Sequence, residues 1–128
     1  MPIAYRIDQE KKLIHETWTG EVHAAELAAY WKRYLADPEV LKIRRTIVDL
    51  RTCVIAFRGT DFDGLIQTIV LPALEGRKWT TAIVVARPLQ FGVSRQYQVF
   101  ADRYSRDSIF ASMADAEKWI TATDSGSR

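Results

Sequence analysis

Two stretches in the second half of the chain share one pattern: a short apolar run, a turn, and then apolar residues at helical spacing. Thr46, Ile47, Val48, Asp49 and Leu50 precede a helical pattern that opens near Thr60; residues 81–86 precede another that opens near Phe91. A run too short for a helix followed by a 3.6-residue period predicts parallel strands whose carboxyl ends share one edge. Both runs end in arginine, so Arg51 and Arg87 are expected together on that edge. The 46–50 run is β-branched and apolar enough to be covered on both faces, as a central strand is.

Upstream, residues 4–7 and 13–19 read as two strands around the polar Asp8, Gln9, Glu10 and Lys11, a hairpin closed by Gly20. Ala24, Leu27, Ala28, Trp31, Tyr34 and Leu35 then fall on one helical face, with Lys32 and Arg33 towards the other. Val22 and Leu27 have the spacing of a hydrophobic staple around His23 as N-cap, with Glu26 at the third helical position, and Pro38 marks the end. In the next helix the Thr60 hydroxyl is expected to accept from the Asp63 amide, while Asp61 and Asp63 complement the positive end of the dipole. Phe62, Leu65, Ile66 and Ile69 form its buried face and Pro72 stops it. A fourth strand over 79–86, a helix marked by Val93, Tyr97, Phe100, Ala101 and Tyr104, and a short strand over 108–111 follow. Ser112 with Asp115 caps a last helix carrying Ala116, Trp119 and Ile120. The predicted order is ββαβαβαβα: one α/β domain over residues 1–120 with a mixed five-stranded sheet, and a polar tail over 121–128.

Composition narrows the classes. A chain of 128 residues with 48% hydrophobic and 27% charged residues is that of one ordinary globular domain. A net charge of +2 is too small to argue for nucleic acid, which calls for a clustered basic surface. Arginines outnumber lysines, and the guanidinium fork suits carboxylate, phosphate and interface contacts. Cys53 is the single cysteine, so no intrachain disulfide or thiolate metal cage can form, and a reducing cytoplasm is the expected location. The chain lacks an apolar stretch of signal-peptide or membrane-span length.

The element order, together with particular stretches, resembles the SpoIIAA-like, or STAS-like, family of small α/β domains from Tyr5 to Ile120. Those stretches are Trp18, Thr19, Gly20 and Glu21 before the first helix, Val48 to Arg51 at a strand end, Ala82 to Ala86, Phe91, Gly92 and Val93 with Arg95, and Ala116 to Ile120. They bear the fold and contain no catalytic motif. The resemblance implies two branches of function. Anti-sigma-factor antagonists of this fold bind a partner kinase and are switched off by phosphorylation of a serine before the second helix; other relatives are linked to small or lipid-like ligands. Here the 51–60 loop has no serine and places Arg58 and Gly59 where the acceptor would lie. Thr60 is the nearest hydroxyl; a phosphate there would gain helix-dipole and arginine contacts, but the residue reads first as an N-cap.

Candidate chemistry is sparse. Asp49 ends an apolar strand, as the phosphorylated aspartate of a receiver domain does, but the acidic pair and the later lysine of that class are missing, and hydrogen bonds to loop amides or to Arg51 explain it. Asp61 and Asp63 follow no strand and lack the further acids of a calcium loop. His15 and His23 lack zinc-ligand spacing, so no metal site is expected. Cys53 reads as a small buried hydrophobe. No glycine-rich phosphate loop follows any strand, and Trp18, Trp31, Trp79 and Trp119 read as core residues. Phe91 and Arg95 project from the opposite side of their helix to Val93, Tyr97 and Phe100, a composition typical of interfaces; alternatively Phe91 plugs the sheet end.

The expectation drawn from these residues is a non-catalytic regulatory or protein-interaction domain without cofactor. Its working surface would be Arg51, Phe57, Arg58, Thr60, Arg87, Phe91 and Arg95 at the carboxyl ends of the third and fourth strands. The alternative is a carrier in which the arginines clasp the acidic group of a small anionic or lipid-like ligand while Phe57, Phe62 and Phe91 line an apolar cleft. An enzyme ranks last because no acid, base or nucleophile pair stands at a diagnostic spacing. Sheet edges and the exposed helix offer routes to a homodimer.

Overall fold

The computed structural model describes residues 2–122. Five strands, β1 (Ile3–Asp8), β2 (Leu13–Val22), β3 (Arg45–Ile55), β4 (Trp79–Val84) and β5 (Ser105–Phe110), form one sheet in the order β1-β2-β3-β4-β5. β1 and β2 are an antiparallel hairpin; β2, β3, β4 and β5 run parallel to their neighbours. The expected mixed sheet, its strand count and the parallel β3–β4 pair are therefore present. β3 is the middle strand, as expected, and all six residues of its neighbour β4 are buried, which is what coverage of both faces requires of an interior parallel strand.

The helices divide unequally between the faces. One side carries α1 (Ala24–Tyr34), α2 (Pro38–Ile43), α3 (Asp61–Leu65), a π-helical turn (Ile66–Val70), α4 (Leu71–Leu74) and α5 (Pro88–Ala101). On the other side α6 (Met113–Ala122) is the one helix among the described residues, closing Leu13, Ile47, Ala82, Val84, Ala116 and Ile120 into a small aliphatic core. No helix among the described residues is long and apolar enough to cross a membrane.

Several predicted boundaries move, each for a local reason. Pro38 opens a helix: it occupies the first turn of α2, and Asp37 caps it by accepting from the Glu39 amide at 3.0 Å. Pro72 likewise does not stop its helix. It lacks an amide hydrogen, and the ladder widens into the π turn just before it and then continues to Leu74. Gly20 (φ +65°) lies inside β2, whose pairing with β3 continues to Val22. β5 starts at Ser105, earlier than its apolar residues suggest, and α6 runs through Ala122, so the predicted tail begins later; residues 123–128 of it lie outside the described residues.

Other local expectations hold. Val22 and Leu27 are both buried around the start of α1, and the His23 amide donates to Glu26 Oε1 at 2.9 Å. The Asp115 amide donates to Ser112 Oγ at 3.2 Å before α6. Thr60 is the exception. Its backbone is helical and its side chain makes no cap; the carboxylate of Asp61 turns the chain instead, accepting from the Arg58 amide at 3.0 Å.

β3 contains a bulge that explains Asp49. Thr17 pairs with Asp49 but Thr19 pairs with Thr52, so β3 gains one residue on β2 around Leu50 and Arg51. The Arg51 amide, diverted from the ladder, donates to Asp49 Oδ1 at 3.0 Å, and the Arg51 guanidinium reaches both carboxylate oxygens, each at 3.0 Å. These hydrogen bonds hold the Asp49 carboxyl below its usual range.

Candidate functional site

Parallel pairing of β3 and β4 does bring Arg51 and Arg87 to one edge of the sheet. The space between these strand ends is occupied by protein. Gln90, fully buried in the first turn of α5, accepts on Oε1 from the amides of Ala86 (2.8 Å) and Arg87 (3.1 Å). Its Nε2 donates to the carbonyls of Leu50 (2.7 Å) and Cys53 (3.0 Å). One amide thus ties both strand exits to the helix start. Arg51 is engaged with Asp49, while Arg58, Thr60, Arg87, Phe91 and Arg95 are exposed. Of the predicted working-surface residues, only Phe57 lines the cavity described below. Phe91 is 48% exposed and is not among the residues that line that cavity. Cys53 is buried, and burial pushes its thiol up to about 11.

Phe57 departs from that group by turning inward with Phe62, their rings meeting edge to face at 5.3 Å between centroids. Both line a cavity of about 80 Å³ between the sheet and the helices of the larger face. A single water needs roughly 10–15 Å³ on this measure, so the space is several times larger than one water requires. Three strands supply its floor. Glu16 and Trp18 come from β2, Thr46, Val48 and Leu50 from β3, and Trp79, Thr81 and Ile83 from β4, each set spaced by two along its strand. Trp31 and Tyr34 of α1, Val70 of the π turn, and Val93, Ser94 and Tyr97 of α5 complete the walls with Phe57 and Phe62. Gly59 helps to seat the intervening loop, since its Cα faces the Gln96 side chain of α5 so closely that a Cβ would collide with it.

Most polar atoms around the cavity are paired. The hydroxyls of Tyr34 and Thr46 lie 2.7 Å apart, Trp79 Nε1 donates to Thr46 Oγ1 at 3.1 Å, and the hydroxyls of Tyr97 and Tyr104 lie 2.9 Å apart. Burial raises the pKa of all three tyrosines and keeps them neutral. Two groups stand apart. Ser94 Oγ is buried and has no hydrogen-bond partner among the described residues. Glu16, 4% exposed, accepts from Trp18 Nε1 (2.7 Å) and Tyr30 Oη (2.9 Å) but has no ion pair among the described residues. Burial pushes its carboxyl up to about 7, against the opposing pull of those two hydrogen bonds.

Glu16 and Ser94 are the residues that sequence reading missed. A signal existed for the first: Glu16 alternates with Ile14 and Trp18 on one strand face, a carboxylate in an apolar row. Ser94 gave none, because serine beside Val93 on a helix reads as neutral.

No family model and no curated protein sequence matches the chain. Solved structures do. An uncharacterized protein of the DUF3478 family with a SpoIIAA-like fold, from Shewanella loihica PV-4, superposes with a TM-score of 0.57 at 17% identity, covering 92% of this chain and 93% of that one. The anti-sigma factor antagonist SpoIIAA in its unphosphorylated form superposes with a TM-score of 0.53 at 12% identity, covering 94% of this chain and 99% of its own. The chain has the SpoIIAA-like fold, as the resemblance implied.

Proposed function

We propose that this chain is a non-catalytic binding domain that holds a small, largely apolar molecule in the cavity between the sheet and α1, α3 and α5. The observation that carries this reading is a space of about 80 Å³ walled by aromatic rings and containing two polar groups with unused hydrogen-bonding capacity, Glu16 and Ser94. Pockets for small molecules combine an apolar lining with a few convergent polar groups in this way. The carrier expectation keeps Phe57 and Phe62 but loses its arginine clasp, since Arg51, Arg58, Arg87 and Arg95 are not among the lining residues. Titration with toluene, followed through the indole N–H signals of Trp18, Trp31 and Trp79 in NMR spectra, tests the reading. Saturable shifts at these three indoles are expected; saturation that leaves all three unmoved overturns it.

A second reading keeps the protein-interaction role, and one observation favours it. Leu89 (62% exposed) and Phe91 (48%) lie at the start of α5 between Arg87 and Arg95, an apolar pair flanked by guanidinium groups. Sedimentation velocity of wild type and Phe91→Ser over a range of concentrations tests whether this surface joins two copies. Self-association lost in the variant supports that use, and a concentration-independent monomer removes it.

A further inference from the structure

We propose that the cavity selects a small organic amine, its ammonium group held by the Glu16 carboxylate and the Ser94 hydroxyl and its apolar part enclosed by the surrounding rings. This rests on the cavity being a binding site and names what it takes.

The argument begins with charge. Glu16 sits on the cavity floor with one hydrogen bond to each carboxylate oxygen, both from neutral donors, and no cation beside it among the described residues. An isolated buried carboxylate is costly, and folds commonly relieve it with a lysine or arginine. Here the side chains that pack around it are Trp18 and Tyr30, and the rest of the cavity is lined mainly by rings and aliphatic groups. The missing positive charge is therefore a property a ligand can bring.

Three further features suit an ammonium. Each Glu16 oxygen retains a free lone pair and the unpaired Ser94 hydroxyl can accept as well as donate, so three acceptor atoms border the space for a group with three N–H donors. The rings of Trp18, Trp31, Phe57, Phe62, Trp79 and Tyr97 border the same space, and a ring that turns its face to a bound ammonium attracts it. The arginines that an acidic ligand would need lie outside the lining. The anionic head group anticipated from the arginine-tipped strands is thus replaced by its opposite in sign.

A series of one-ring probes that differ only in the attached group tests this: benzylamine, benzyl alcohol, toluene and benzoate, measured by isothermal titration calorimetry at pH 8. Benzylamine is expected to bind at least about tenfold more tightly than toluene, the increment of one charge-assisted hydrogen bond, with benzoate weakest. In Glu16→Gln the benzylamine-to-toluene ratio should collapse towards one, and Ser94→Ala should lower it by a smaller factor. Circular dichroism establishes that each variant folds, and Glu16→Asp, which keeps the charge, should retain part of the preference. Equal or tighter binding of toluene, or tightest binding of benzoate, overturns the amine assignment while leaving the cavity a binding site. No binding by any of the four overturns both.

Discussion

The two faces of the sheet are built on different principles. Beneath α6, buried aliphatic side chains from β2, β3 and β4 meet Ala116 and Ile120, and the larger Phe110, Met113 and Trp119 close over them from the margin. On the other face, large rings arrive from several helices and from the sheet: Tyr30 stacks on Tyr34 at 5.1 Å, Tyr34 meets Trp79 at 5.9 Å, and Phe62 meets Trp31 and Tyr97 at 6.2 and 5.2 Å. The cavity lies among these rings, and the buried residues of the α6 cluster are all aliphatic. The contrast teaches where this small protein puts its cohesion and where it leaves room.

The contrast can be broken by mutation. The largest effect is expected on the α6 face: Leu13→Ala removes a fully buried side chain and should cost about 3 kcal/mol in urea denaturation. A loss below 1 kcal/mol would mean that this face is not tightly packed.

A comparable effect on the open face comes through pH. The Glu16 carboxyl has a folded-state pKa of about 7 against an ordinary value of 4.5, so the native chain binds its proton more tightly than the unfolded chain. Stability from this group is therefore full below pH 4.5, falls as pH rises towards 7, and levels off above, by about 3 kcal/mol in all. Asp107, which burial pushes up to about 6, adds in the same direction. Glu16→Gln should flatten most of the slope between pH 5 and 8 in denaturation curves; an unchanged slope would place its origin elsewhere.

Filling the two faces should give opposite answers. Ala82→Leu forces extra carbons into the α6 core and is expected to lower stability by about 2 kcal/mol, whereas Val48→Ile points into the cavity and should be neutral or stabilising by about 0.5 kcal/mol. Equal losses in thermal melts would erase the distinction. The last effect belongs to the bulge near the carboxyl end of β3. Asp49→Asn weakens a partly solvated pair with Arg51 and should cost about 1 kcal/mol or less, a loss that shrinks further in high salt.

How much of this was legible in the residues varies with distance along the chain. The staple of Val22 and Leu27, the Ser112 cap and the pairing of Asp49 with Arg51 each involve partners within five residues, and each was read correctly. Pro38 and Pro72 misled because proline marks the first turn of a helix as readily as its end; which applies depends on Asp37 capping and on whether the ladder can widen. Thr60 lost its predicted cap to its neighbour Asp61, a competition between two side chains that composition cannot decide.

By itself the sequence determined the α/β class, the strand count and the parallel direction of β3 and β4, because hydrophobic period and crossover handedness act locally and need no knowledge of the rest of the fold. Only the tertiary structure decided the site. The cavity is a misfit among rings that come from positions 18 to 104 of the chain, and the isolation of Glu16 is the absence of any cation within reach in space among the described residues. Gaps and missing partners arise from three-dimensional packing, and no spacing along one strand or helix can encode them.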